Sequence, residues 1–372
     1  MAQNSNLDNF VETGSNFNNR VKMKKVYCFF VLLAVIASVS VIVAVKNKEI
    51  RDFENGQTSF VYDFSYAELA IKYLETGNPE YLHEIANLNA ADHLHNHALQ
   101  SLLPGGSVGS KLELVTHFLS PIDEQRELLP IFKKNLVFAK ESLAKSGIAE
   151  KIALKFLPAD FSFSGSMFFT FGYNHVAHGE NNSLNLAHPM FSDDMNEIIY
   201  VAIHELHHIG FIKLKDGYMP SLDITTYKEM LHKIEYATHL EGIATYAPFG
   251  AIEQDLKGMA TDESFGKIEI ERVSAMNFQK FYIVLQDLQL MQELETEFFD
   301  IYFHFKNEPD RLLTDEDWYK FQVLSYTKGL FYIVGAHMAK TIDNNLGREK
   351  LVNLISEPTE NFIATYLELN RQ

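Results

Sequence analysis

The hydrophobic pattern divides the chain sharply near its start. Val26 to Val45, VYCFFVLLAVIASVSVIVAV, is a run of twenty positions without a charge, long enough to cross a bilayer as a helix. Arg20, Lys22, Lys24 and Lys25 precede the run, whereas Lys46, Lys48 and Arg51 after it are mixed with Glu49, Asp52 and Glu54. That asymmetry favours an N-terminus in the cytoplasm and an uncleaved anchor. A cleaved signal peptide is the alternative, particularly with Met23 as the start, because MKKVYCFFVLLAVIAS has a basic n-region and an apolar h-region. Both readings export everything after about residue 48. Residues 1–25, rich in Asn and Ser, read as a disordered cytoplasmic tail, and 46–60 as a linker.

From Tyr62 the apolar positions recur at helical spacing. SYAELAIKYLETGN predicts a helix that opens on Ser65, with Glu68 three positions later as in a capping box, and stops at Gly77. DEQRELLPIFKKNLVFAKESLAKSG predicts a long helix ended by Gly147, in which Pro130 either introduces a kink or marks the true start. Residues 61–151 thus read as an N-terminal helical part. Between about 152 and 190 the texture changes: SMFFTFGY and SLNLA are short, aromatic or alternating, and bounded by Gly and Asn, which predicts strands. The remainder is helical again. The pattern predicts an α+β protein, predominantly α-helical, with a small sheet just before a histidine-rich helix.

Composition narrows the chemistry. The chain has 372 residues, 47% of them hydrophobic, enough for a sizeable core. Cys28 is the only cysteine, so any metal must take His and carboxylate ligands. The net charge is −17, and since residues 1–48 carry six Lys/Arg against two Asp/Glu, the rest of the chain carries −21. Such a surface repels phosphate backbones, which argues against a nucleic-acid partner.

The candidate chemistry lies in FSDDMNEIIYVAIHELHHIGF. A Ser and two Asp suit a helix N-terminus, and the stretch runs without Gly or Pro to Gly210. His204 and His208, four apart, share one face of that helix, so both imidazoles can reach one ion about 2 Å away. Glu205, beside the first of them, can reach a water on that ion without ligating it. Even with any acidic residue allowed at the second position, a His-Glu-x-x-His hit is expected by chance only roughly 0.08 times in this composition. His207 is an alternative to His208 as a ligand. A catalytic zinc needs a third protein ligand, and Glu241 in THLEGIATYAP is the candidate, on a second long helix starting near Ser221. Gly242 beside it would let two helices approach closely. His239 competes, but two positions from Glu241 it faces elsewhere on a helix.

HELHH followed some thirty residues later by EGIATY resembles the gluzincins, zinc metallopeptidases whose two motif histidines and downstream glutamate hold the ion. SYTKGLFYIVGAHMAKTIDNNLGREKLVNLI is similar to the aminopeptidase branch of that clan, in which a Tyr-x-Lys-Gly segment opens a helix and its tyrosine steadies the tetrahedral intermediate. The resemblance covers roughly residues 160–372. It implies a thermolysin-like catalytic core, zinc on His204, His208 and Glu241, Glu205 as general base, Tyr326 as oxyanion donor, and a peptide or protein substrate. With it 152–372 reads as the catalytic part, following the anchor that hydropathy places at 26–45. The sequence departs from that pattern in two places. There is no Gly-x-Met-Glu-Asn segment, GSMFF at 165–169 being the nearest, which puts exopeptidase action in doubt, and Thr245 stands where thermolysin-like relatives carry a carboxylate supporting a zinc histidine.

The competing function class is a non-catalytic zinc-bearing binding or scaffold protein of the cell envelope, which the intact Glu205 argues against, since a structural site needs no base and closes its fourth position. His93, His95 and His97 would share a face on a strand and suit a second metal, but their surroundings read as helical or irregular. His337, eleven residues after Tyr326, reads as a packing residue or a second oxyanion donor.

Overall fold

A computed structural model describes residues 49–51, 59–100, 108–221, 223–258 and 277–371. The expected span 26–45 and the tail before it lie outside the described residues. Among the described residues no helix is long and apolar enough to cross a membrane.

Five strands form one mixed sheet: β1 (Glu49–Arg51), β2 (Ser59–Asp63), β3 (Ser164–Thr170), β4 (Val176–His178) and β5 (Asn181–Asn185), in the order β1-β2-β3-β5-β4. The central β2, β3 and β5 are parallel, and β1 and β4 close the two edges antiparallel. Both predicted strands are present, while β4 is too short to leave a periodic signal. Part of the stretch expected as a linker joins the sheet, because Phe60 and Tyr62 are buried and pack on Phe163 and Phe169. Met167, Phe168 and Phe169 are buried in succession, as on a strand covered on both faces.

The helices before the third strand are α1 (Ser65–Thr76), α2 (Glu80–Ala86), α3 (Asn89–Gln100), α4 (Lys111–Asp123), α5 (Leu129–Phe138, extended by a π-helical turn to Ala144) and α6 (Ile148–Ala153). α1 ends as expected on Gly77 in the left-handed region, φ 70°. Its start differs: Ser65 makes no side-chain cap, and its N–H is held by Asp63 Oδ1 at 2.9 Å instead. Pro130 marks a true start, lying in the first turn of α5, where its missing N–H would have no intrahelical partner.

After the sheet come α7 (Glu197–Leu214), α8 (Tyr227–Tyr246), α9 (Phe249–Gly258), α10 (Phe278–Val284), α11 (Leu288–Asn307), α12 (Asp315–Gln322), α13 (Leu330–Leu346), α14 (Arg348–Asn353) and α15 (Glu360–Leu369). The Ser192–Asp193 stretch belongs to a separate single turn, Met190–Asp193, and α7 begins at Glu197. Gly210 lies inside α7 rather than ending it, packed so closely on Leu157 that a Cβ would stand 2.4 Å from Cδ1. α8 begins at Tyr227, later than Ser221, because Thr226 and Glu229 form a reciprocal capping box.

Gly242 of α8 meets Gly335 of α13, where an added Cβ would lie 2.6 Å from the Gly335 carbonyl carbon. The close helix approach expected from Gly242 therefore exists, but with α13 rather than with the histidine-bearing α7. At the other end of α8, Tyr227 donates to Asp317 Oδ1 at 2.9 Å, His304 Nε2 stands 2.8 Å from the same oxygen, and the Thr314 N–H and hydroxyl hold Oδ2. Three helices, α8, α11 and α12, are thus tied by one buried carboxylate.

Gly242→Ala is expected to destabilise by roughly 1–3 kcal/mol, since the clash is with backbone, whereas Gly250→Ala, with nothing within 4 Å, should be neutral or slightly stabilising; thermal melts of the two variants make the comparison. Burial alone would raise the Asp317 carboxyl, but His304, Thr314 and Tyr227 outweigh it and hold it well below the usual range. Its stabilising effect is full above the unfolded aspartate pKa and disappears as pH falls through the depressed folded value. Urea midpoints at pH 7 and pH 3 should therefore differ less in Asp317→Asn than in the wild type.

Candidate metal centre

α7 is apolar on nearly every side. From Ile198 to Ile212 all residues except Ile199 are buried, among them His204, Glu205, His207 and His208, so the polar groups cannot be a solvated stripe. His204 and His208 stand one turn apart with ring centroids at 4.3 Å. α8 crosses them and delivers Glu241, whose Oε2 lies 3.2 Å from His204 Nε2 and 3.2 Å from His208 Nε2. The three side chains are the group able to hold a metal ion among the described residues. Ligands of a tetrahedral zinc with bonds of ~2.0–2.1 Å stand about 3.3–3.4 Å apart, so the two carboxylate–imidazole distances suit zinc.

The electrostatics fit as well. Burial would raise the Glu241 carboxyl, but the His208 and His204 imidazoles outweigh it and hold it at about 2. Burial, and then His208, pull His204 down to about 4. His208 is pulled down by burial too, yet Glu241 and Glu205 leave it above its ordinary value. Glu205 behaves oppositely to Glu241. Burial pushes it up to about 7, against His208 and with help from Glu241. It is outside the ligand group, and its Oε2 is buried without a hydrogen-bond partner among the described residues. One carboxylate is thus pre-ionised as a ligand and its neighbour is poised to exchange a proton near neutrality.

The other expected residues take separate places. His207 and His239 are fully buried and outside the ligand group. His239 stacks on Phe362 with centroids at 4.6 Å, edge-on to Phe211. His337 packs against the Tyr366 ring at 5.9 Å. His93 and His97 are buried on α3 facing His178 of β4, and His95 bonds the Gly109 carbonyl at 2.8 Å. Thr245 is buried with no partner for its hydroxyl among the described residues. Tyr326 lies in a π-helical turn, Val323–Thr327, just before Gly329, whose left-handed φ of 61° opens α13.

Several residues around the centre carry no sequence motif. Tyr332 of α13 stacks on the His204 ring, centroids 6.0 Å and planes 18° apart, and on Phe281. Its hydroxyl stays protonated, raised by burial and then by Glu241 and Glu205. Phe278 packs on His204 from the side at 5.2 Å. Glu197, two turns before His204 on the same face of α7, accepts the Phe278 N–H at 2.8 Å and the Gln279 N–H at 3.1 Å, and so fixes the α10 start against the ligand. A Glu in the first turn of a helix was the only available signal, and it does not say which distant amides the carboxylate holds.

The sequence model of the family described as "Putative zinc dependent peptidase (DUF5700)" matches residues 81–372. The chain belongs to this family. The match spans both ligand helices, and with the buried His204-His208-Glu241 group it identifies zinc as the cofactor of this member. Neither a curated protein nor a solved structure matches the chain significantly.

Glu241→Gln should lower zinc affinity by well over about tenfold, because losing a ligand exceeds the effect of losing its supporting groups; metal analysis after dialysis against a competing chelator reads this. Stripping zinc from the wild type should also lower its melting temperature, since an ion that binds only the folded state stabilises it.

Proposed function

We propose that this protein is a gluzincin-type metallopeptidase with a thermolysin-like core. In this reading a peptide or protein is hydrolysed at the His204-His208-Glu241 centre on the extracytoplasmic side of a membrane that Val26–Val45 spans. The observation that carries the reading is Glu205: a buried carboxylate adjacent to a ligand, outside the ligand group and with one oxygen unpartnered among the described residues. A structural zinc site has no use for such a group. The anchor is supported by the uninterrupted apolar run and the basic residues before it.

When bound, zinc supplies a Lewis acid that lowers the pKa of water and polarises the scissile carbonyl. Glu205 takes the proton of the attacking water and returns it to the departing amine nitrogen. Its carboxyl, pushed up to about 7, is matched to both halves of that transfer at neutral pH. Tyr326, by its place in the YTKG segment, donates its hydroxyl to the carbonyl oxygen as negative charge builds there. Tyr332 and Phe278 wall the His204 ring and keep its Nε2 aimed at Glu241.

Glu205→Gln should keep its zinc and lose peptide cleavage by about 10²–10⁴-fold in kcat, measured by zinc content and a peptide library side by side with the wild type. In the same assay Tyr326→Phe should lose about 10²–10³-fold. Cleavage undiminished in Glu205→Gln would overturn the mechanism, and a zinc-loaded wild type that cleaves nothing would favour the scaffold role.

A further inference from the structure

A cavity of about 540 Å³ is enclosed between α6, α8, α9, α10 and the end of α13, a size within the roughly 300–1,000 Å³ of small-molecule sites. Neither the three metal ligands nor Glu205 lines it, so it is separate from the metal centre. Lys155, Gly250 and Gln254 in its lining are exposed, which leaves it open to solutes. Phe156, Tyr246, Phe249 and Tyr282 form one wall. Successive rings in that series meet edge-on, with centroids 5.5, 5.8 and 5.5 Å apart, and so make one continuous aromatic surface.

The charged part of the lining has the opposite sign to the protein as a whole. Lys155, Lys340 and Arg348 set three cations against a single carboxylate, Glu253, in a chain that carries −21 beyond residue 48. Lys155 and Lys340 make no ion pair among the described residues. Arg348 stands at the end of the aromatic wall, its guanidinium carbon 3.7 Å from the Phe156 ring centroid. One of its nitrogens bonds Asp343, which also accepts the Tyr246 hydroxyl at 2.8 Å. That anchorage sets the position of the Arg348 side chain yet leaves it 36% exposed. Unpaired cations beside low-dielectric walls concentrate positive potential, and the arginine fork matches the oxygens of a carboxylate or a phosphate. Positive charge and flat apolar rings in one cavity suit a ligand that carries both complements.

We propose that this cavity binds a small organic anion, a carboxylate or phosphate joined to a flat apolar body. Arg348, Lys340 and Lys155 hold the anionic group, and the body lies against the aromatic wall. The site is independent of the peptidase reading.

The test is isothermal titration of the zinc-loaded full chain with naphthoate, naphthyl phosphate and the neutral naphthamide. At least one anion should bind, and the amide about tenfold or more weakly than that anion. An added Cβ at Gly250 meets nothing within 4 Å, so Gly250→Leu fills part of the cavity without a clash and should block the anion. Lys340→Gln should weaken binding about tenfold or more, whereas Lys134→Gln, an exposed lysine outside the lining, should leave it unchanged. The tighter of the two anions identifies the group as carboxylate or phosphate. The proposal is overturned if neither anion binds, if the amide binds as well as the anions, or if Lys134→Gln loses as much affinity as Lys340→Gln. Undiminished binding in either cavity variant also overturns it, since an anion seated on the zinc would behave so. Should Gly250→Leu melt below the wild type, Lys340→Gln decides.

Discussion

Four ionisable side chains, His204, Glu205, His208 and Glu241, are enclosed where two apolar helices cross, each less than a tenth exposed. Removing charged groups from water costs several kcal/mol per ion unless each finds compensation, and the crossing offers these four little but one another. A divalent cation between the two imidazoles and the Glu241 carboxylate resolves that conflict. Glu205 lies outside the ligand group, and burial raises its proton affinity towards neutrality. The chemistry and the packing are two consequences of one act of burial.

Holding the carboxylate oxygen 3.2 Å from both imidazole nitrogens demands that α8 be placed to within a few tenths of an ångström. It is held on several sides. Gly242 and Gly335 bring α13 into backbone contact with α8 one residue from the ligand, and Asp317 ties the other end of α8 to α11 and α12. α7 is positioned by Gly210 against Leu157 and by Glu197, which clamps the start of α10. α10 then supplies Phe278 as one wall of His204, and α13 supplies Tyr332 as another. The His204 ring is thus walled by residues from two further helices, the kind of support that fixes a metal ligand's orientation.

The strand side contributes differently. The sheet is small, and its parallel centre is covered on both faces, with β4 and β5 laid against α7. The histidines there, His175 and His188, take their tautomers from backbone amides of the sheet and the turn after it.

What could be read from the chain alone was whatever depends on local spacing. His204 and His208 share a face because a helix turns every 3.6 residues, Glu205 is separated from them by the same arithmetic, and Glu241 stood out as a carboxylate among small and apolar neighbours. The same local rules located β3, β5 and the Gly77 helix end, but not β2, equal in length to β5. They misplaced Gly210, the start of α8 and the cap at Ser65, where a distant contact or a better neighbouring cap overrode the local preference. The partner of Gly242, the clamp made by Glu197, the walls from Phe278 and Tyr332 and the tautomer of His175 were settled only by tertiary structure. Each joins residues from about ten to more than a hundred positions apart, and nothing in a residue's own neighbourhood records which group the folded chain will set against it.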